Sequence, residues 1–245
     1  MTAIRVLPDS AALADAAARQ IVERAQAAID AQGAFSIALS GGSTPRDLHQ
    51  RLASAPLAQQ VDWARVHVFF GDERCVPPDD AQSNYRMADE TLLSRVPIPA
   101  TQIHRMRGEL PPNEAAAEYE SQLKAFFNSD PPRLDVILLG MGDNGHTASL
   151  FPGLSAVHEQ RRWVVAENVP EVGMWRITLT PVVLNLGREV MFLVAGEAKA
   201  SMLRQVLEGP YVPEEKPAQI VRPTPGEVIW LVDVAAAAKL SPPIG

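Results

Sequence analysis

A histidine placed directly after a glycine-crowded strand end has the most chemical potential in this 245-residue chain. The apolar run 136–139 stops at Gly140, Gly142 and Gly145, and His146 follows at once, opening a short segment that Pro152 and Gly153 close. An imidazole takes and returns a proton near neutral pH, and glycines let backbone and ligand approach it closely. Gly140-Met141-Gly142-Asp143-Asn144-Gly145 also satisfies the G-x-G-x-x-G dinucleotide fingerprint, with Glu167 where a ribose-binding acid would stand. That reading needs a sustained helix after the glycines. Pro152 leaves 146–151 fewer than two turns, so no nicotinamide or flavin cofactor is expected. No second histidine stands at ligand spacing on a shared helix face, so no metal is expected either.

Three further clusters fall at strand ends. In Ser40-Gly41-Gly42-Ser43-Thr44-Pro45-Arg46 the glycines let backbone N–H groups converge, Thr44 suits a helix cap and Pro45 the first helical position. Free N–H groups at a helix start favour an anion, commonly a phosphate. The Lys-Ser/Thr of a Walker A loop is missing. Gly71-Asp72-Glu73-Arg74 puts three charges directly after the apolar VHVFF run, and charges there need partners. Asp72 or Glu73 could orient a base or hold a substrate hydroxyl, and Arg74 could face an anion; an ion-pair network at the sheet edge is the structural alternative. Cys75 beside them reads as a packed, inert thiol. Arg176 and Lys199 are lone cations beside strand boundaries, and together they could concentrate positive charge for an anionic substrate. His49, His67, His104 and His158 read as satisfied polar groups.

Strands and helices alternate to position these clusters. Ser10 is expected to cap an alanine-rich helix that ends before Gly33, with Ile21, Val22, Ala25 and Ile29 on one face. Strands are predicted at 35–39, 66–70, from 136, 163–166, 177–179, 190–195 and 228–232. Helices are predicted from Pro45 and near 84–96, 113–127, 199–207 and 235–240. Such interleaving predicts an α/β fold, a Rossmann-like, mostly parallel sheet with helices on both faces. One catalytic domain is expected over 1–245, with room for a small lid subregion. Strand order does not follow from the pattern.

A net charge of -7 and a pI of about 5.3 argue against a broad nucleic-acid or anionic-membrane surface. No apolar run approaches the ~18 residues of a membrane span, and the N-terminus lacks the regions of a signal peptide. The single cysteine allows no internal disulfide and suits a reducing cytoplasm. A cytoplasmic protein, monomeric or weakly homo-oligomeric, is expected.

GMGDNGHTASLFPG, with ALSGGSTPR, FFGDER, RITLT and VAGEAKA in that order along the chain, resembles bacterial 6-phosphogluconolactonases. The resemblance runs to the closing VIWLVDVAAAAKL and is most specific over His146-Thr147-Ala148-Ser149-Leu150-Phe151-Pro152. The related glucosamine-6-phosphate deaminases share the fold and the phosphate loop. They usually carry Asp-Glu-Tyr at the acidic strand end, so Arg74 and the Thr-Ala-Ser-Leu-Phe-Pro run favour the lactonase. The resemblance implies hydrolysis of 6-phospho-D-glucono-1,5-lactone to 6-phospho-D-gluconate in the oxidative pentose phosphate pathway, with no cofactor. It implies His146 as the general base that activates water and Arg74 as a group that stabilises or orients the substrate. Gly41, Gly42, Ser43 and Thr44, helped by Arg176 and Lys199, would bind the phosphate. Asp72 matches a carboxylate that is catalytic in the deaminases; Glu73, Gly145 and Arg46 are further candidates. Asn144 stands where the family commonly has aspartate. Backbone N–H groups of 142–145, or Arg74, are the candidate oxyanion donors. The competing expectations are an amino-sugar phosphate deaminase or isomerase, and a sugar-phosphate-sensing regulatory domain on the same fold.

Overall fold

Every side chain in three strands, β2 (Phe35–Leu39), β5 (Val136–Leu139) and β8 (Glu189–Val194), is buried. Their largely apolar runs, broken only by Ser36 and Glu189, demand this, because both faces of such a strand must be covered. The computed structural model describes residues 2–128, 131–224 and 226–241. In chain order its other strands are β1 (Thr2–Leu7), β3 (Val66–Phe70), β4 (Asp72–Arg74), β6 (Val164–Val169), β7 (Met174–Leu179) and β9 (Glu227–Asp233). The helices are α1 (Ser10–Gln32), α2 (Ser43–Leu52), α3 (Asn84–Thr91), α4 (Pro112–Phe126), α5 (Pro181–Leu184), α6 (Ala200–Glu208) and α7 (Val234–Ala237).

Six strands form a parallel sheet in the order β1-β9-β8-β5-β2-β3, and β4-β7-β6 form a small antiparallel sheet. From β2 the chain winds outward to β3; from β5 it winds the other way, through β8 to β9. The order therefore reverses between β2 and β5, and a crevice opens beyond their carboxyl ends, the usual ligand position in open α/β sheets. Gly71 couples the two sheets: its N–H donates to Leu39 O at 2.8 Å and its carbonyl accepts Leu179 N–H at 2.8 Å. Apolar side chains of both sheets, including Val136, Val190, Ile177 and Leu179, join one buried cluster.

Local details differ from the sequence expectation for identifiable reasons. Asp9, not Ser10, caps α1: its backbone is extended and its carboxylate accepts Ala12 N–H at 2.8 Å. Gly33 ends the helix at φ 84°, as expected, and Ile21, Val22 and Ala25 are buried along it. Gly42, not Thr44, is the N-cap of α2, so Pro45 sits inside the first turn. The predicted helix over 84–96 stops at Thr91, where Leu92 leaves helical geometry (φ -139°), and resumes only as a 3-10 turn, Leu93–Arg95. The hairpin β6–β7 is longer than predicted, because cross-strand pairing extends it to Val169 and Met174. β1 is absent from the sequence reading. It is an edge strand with five of its six residues exposed, so it shows no buried face to recognise.

Candidate active site

The loops beyond β2, β3, β5 and β8 meet over a cleft of about 320 Å³. Ser40, Gly41 and Gly42 enter it from β2, Asp72 and Arg74 from β4, and Gly140, Gly142 and His146 from the loop after β5. Arg176 of β7 and Lys199 ahead of α6 complete its charged lining. Larger hollows, of about 870, 530 and 390 Å³, lie along the end of α6, at the amino end of β8 and between α4 and β6, and none is lined by the strand-end clusters read above.

His146 is held on three sides. Its Nδ1 lies 2.6 Å from Asn144 Oδ1, which also accepts the His146 backbone N–H at 3.1 Å. Asn144 Nδ2 donates to Glu171 Oε2 at 2.9 Å. A carboxylate accepts only from the NH₂ end of the amide, so Oδ1 faces the ring and the proton sits on Nδ1. The lone pair is then on Nε2, which has no protein partner among the described residues. One face of the ring stacks on Phe151, with centroids 4.1 Å apart and planes at 17°. Burial pushes the imidazole pKa down to about 4; Asp72 and Glu171 pull it up, while Arg176 and Lys199 push it further down. The ring is therefore neutral at pH 7, the state a base requires. No helix follows the glycines: 147–150 fold as a tight turn with Ala148 at φ 47°, which removes the dinucleotide reading.

The acidic pair divides its labour. Asp72 lines the cleft, where Oδ2 accepts Ser149 Oγ–H at 2.6 Å and lies 3.8 Å from Arg176 Nη1. Asn84 Nδ2 donates to Asp72 Oδ1 at 3.2 Å. Glu73 points instead into the start of α3. Its carboxylate accepts the backbone N–H groups of Arg74, Asn84 and Tyr85 at 2.7, 2.7 and 2.8 Å, and Ser83 Oγ–H at 3.0 Å. Burial raises its pKa and these bonds oppose the rise. Glu73 is thus a structural cap, which corrects its place among the candidate site residues.

Two guanidinium groups hold donors in reserve. Arg74 Nη1 donates to the Gln82 carbonyl, but its Nε, like that of Arg176, is buried with no partner among the described residues. Burial also lowers the Arg176 pKa. Two of the four N–H groups expected to serve an oxyanion are already engaged: Gly142 N–H donates to His146 O at 2.8 Å and Gly145 N–H to Gly142 O at 3.0 Å. Gly145, at φ 81°, packs against Met202 and Lys216 rather than the cleft. Lys199 Nζ pairs with Asp143 Oδ1 at 2.6 Å. Ser43, Thr44 and Arg46 do not line the cleft; their contribution is the first turn of α2, whose N-terminus has no side-chain cap. Those N–H groups stay open to an anion beside Gly41 and Gly42.

Cys75 packs against the core and burial, then Glu73, push its thiol pKa up to about 11, so it is inert. His67 and His104 pair with each other at 3.2 Å and His158 is exposed. His49 departs from the satisfied-histidine expectation: Nδ1 lies 3.3 Å from Thr91 Oγ1, but the buried Nε2 has no partner. Asn84, Ser149, Phe151 and Glu171 belong to the site without having been singled out from sequence. Ser149 and Phe151 lie inside the most specific motif, two and four residues from Thr147; Asn84 and Glu171 carry no local signal. No group of three His, Cys, Asp or Glu side chains converges as metal ligands among the described residues, and no described helix is long and apolar enough to cross a membrane.

The profile of the family described as glucosamine-6-phosphate isomerases/6-phosphogluconolactonase matches residues 8–230. A curated 6-phosphogluconolactonase of Nostoc sp. is 44% identical over 242 residues, spanning 97% of this chain and 98% of that protein. One from Haemophilus influenzae is 38% identical over 204 residues, 83% of this chain and 87% of its own. Among solved structures, the 6-phosphogluconolactonase from Trypanosoma cruzi superposes with a TM-score of 0.88 at 30% identity, covering 99% and 98% of the two chains. A monomeric glucosamine-6-phosphate deaminase superposes with a TM-score of 0.81 at 21% identity, a likeness of fold alone.

Proposed function

The chain belongs to the family of glucosamine-6-phosphate isomerases and 6-phosphogluconolactonases, and from that premise we propose a residue-level mechanism for lactone hydrolysis. The enzyme is a 6-phosphogluconolactonase: it opens 6-phospho-D-glucono-1,5-lactone to 6-phospho-D-gluconate, a step of the oxidative pentose phosphate pathway. The observation that carries the mechanism is a neutral imidazole whose Nε2 has no protein partner among the described residues, in one cleft with an uncapped helix start and two underused guanidinium groups.

The substrate phosphate sits at the N-terminus of α2 against Gly41 and Gly42, with Lys199 and Arg176 supplying positive charge. It lies several bonds from the carbonyl, so these contacts anchor and aim the ring. His146 Nε2 takes a proton from water as the oxygen attacks the lactone carbonyl. The carbonyl electron pair moves onto oxygen, and the guanidinium of Arg74, a residue that lines the cleft, stabilises it. As the tetrahedral centre collapses, the ring C–O bond breaks and the imidazolium returns its proton to the departing alkoxide. Asp72, fixed by Ser149 and Asn84, holds Arg176 in place and favours the transient imidazolium.

Acid release from fresh lactone, followed by titration with unaided hydrolysis subtracted, tests this reading. Acceleration that disappears in His146→Ala, by at least about 10²-fold in kcat with 6-phosphogluconate still bound, is the expected result. Turnover near wild type in that variant would remove His146 from the role. Ammonia release from glucosamine 6-phosphate would move the chain to the other branch of its family.

A further inference from the structure

Asn144 is bonded at both ends. Its Oδ1 accepts from His146 Nδ1 at 2.6 Å and from the His146 backbone at 3.1 Å, while its Nδ2 donates to Glu171 at 2.9 Å. The backbone N–H already fixes which end of the amide faces the ring, so Glu171 is not needed to orient it. An amide, however, has no charge with which to steady an imidazolium. A carboxylate on its NH₂ end draws positive character there and builds negative character on Oδ1, strengthening the bond that the ring donates. Glu171 also belongs to the 3-10 turn Pro170–Val172 between β6 and β7, and the Val172 side chain of that turn lines the cleft. One hydrogen bond therefore ties the cleft wall to the histidine loop.

We propose that Glu171 is a positioning residue for the reaction, acting through the Asn144 amide to place a negative charge behind the His146 base and to hold the 170–172 turn against it. The proposal rests on the reading of His146 as the base. The other charged groups around the ring are Asp72 and Arg74 from β4, Arg176 from β7, and Lys199 with its partner Asp143. Asp72 and Glu171 favour the imidazolium, whereas Arg176 and Lys199 oppose it. Of the two carboxylates that favour the imidazolium, Glu171 and Asp72, loss of Glu171 leaves Asp72 against Arg176 and Lys199 when the ring takes its proton.

The test is a set of exposed, fold-sparing substitutions read in two backgrounds. Glu171→Gln keeps an acceptor and removes the charge; Glu171→Ala removes both. In the wild-type background kcat should fall on the order of 2- to 5-fold, the screened worth of one exposed charge, with KM changed less than about 2-fold. The acid limb of kcat/KM and the His146 ring titration followed by NMR should both move to lower pH. In an Asn144→Asp background a carboxylate touches Nδ1 directly and Glu171 becomes a like-charged neighbour, so Glu171→Gln should no longer lower kcat. Equal losses in the two backgrounds, or a loss in KM alone with an unmoved ring titration, would overturn the proposal while leaving the lactonase mechanism intact. His146→Ala with near-wild-type turnover would instead overturn the base assignment, and this proposal with it.

Discussion

The imidazole of His146 and the phenyl ring of Phe151 lie nearly parallel, 17° apart with centroids at 4.1 Å, inside one turn of chain. Phe151 therefore walls the imidazole from water on one face and helps set the burial that depresses its pKa. Phe151→Leu keeps apolar volume and should cost less than about 1.5 kcal/mol of stability. It removes a ring contact of about 0.5–1.5 kcal/mol, so kcat should fall roughly 2- to 12-fold. The NMR titration of His146 should move upward as water gains the exposed face. An unchanged turnover and ring titration would show that the stacking is incidental.

Three histidines link stability to acid. Burial pushes His49, His104 and His146 down to about 4, with His67 also lowering His104. Each folded-state value lies below the ordinary 6.5, so the unfolded chain takes up protons first as pH falls. The contribution is whole above about pH 6.5 and drains as pH drops toward 4, at no more than about 1.4 kcal/mol per unit for each histidine. Urea midpoints should hold from pH 8 to 7 and decline steeply from 6 to 4.5. His104→Gln should make that decline shallower. A flat profile down to pH 4.5 would contradict the burial of these rings.

Glu73 and Asp72 are neighbours with separable roles. Glu73→Gln swaps an acceptor of three backbone N–H groups for an amide and should cost about 2–3 kcal/mol in urea unfolding. Its KM should stay near wild type because the side chain does not reach the cleft. Asp72→Asn should do the opposite, sparing stability relative to Glu73→Gln while lowering kcat/KM. A KM effect for Glu73→Gln as large as that for Asp72→Asn would return Glu73 to the site.

How much of this was legible in the chain follows from what each residue's signal depends on. His146, Gly41, Gly42, Asp72, Arg74, Arg176 and Lys199 all line the cleft, and each stood at or beside a predicted strand boundary, a pattern that local sequence carries. Local sequence does not carry the separation of Asp72 from Glu73, because it depends on where α3 starts, eleven residues after Glu73. Glu171 bonds to Asn144 across 27 positions, and the register of β1 on β9 joins opposite ends of the chain. Such pairings are set by tertiary packing. Gly145 was misplaced for a related reason: a glycine's positive φ is readable, but whether it faces ligand or the packed residues Met202 and Lys216 is not.

Arg176 tests the electrostatic half of the cleft. Its Nη1 lies 3.8 Å from Asp72 and its buried Nε awaits a partner. A charge-assisted bond to phosphate is worth about 1.5–3 kcal/mol, so Arg176→Ala should raise KM and the product Kd by roughly 12- to 150-fold. Arg176→Lys should not rescue it fully, since an ammonium cannot serve Asp72 and a phosphate with one planar fork. Product binding unchanged in the alanine variant would take Arg176 out of anion recognition.

Gly142 sets the position of the His146 ring by leaving room for it. A Cβ built there would fall 2.1 Å from both Cε1 and Nδ1 of His146, far inside any tolerable contact. The ring cannot yield without breaking its 2.6 Å bond to Asn144 or leaving Phe151, because the loop is closed by Gly142 N–H on His146 O. Gly142→Ala should therefore lower kcat by about 10²-fold, the loss expected when a base is displaced by an ångström or so. Product Kd should change far less, since the proposed phosphate contacts lie on α2, β7 and Lys199. Gly140→Ala, whose added methyl meets nothing within 4 Å, should cost much less than Gly142→Ala in the same assay. Equal losses for the two would mean that the loop tolerates no side chain at all, and that the ring's seat on Gly142 is not what fixes the base.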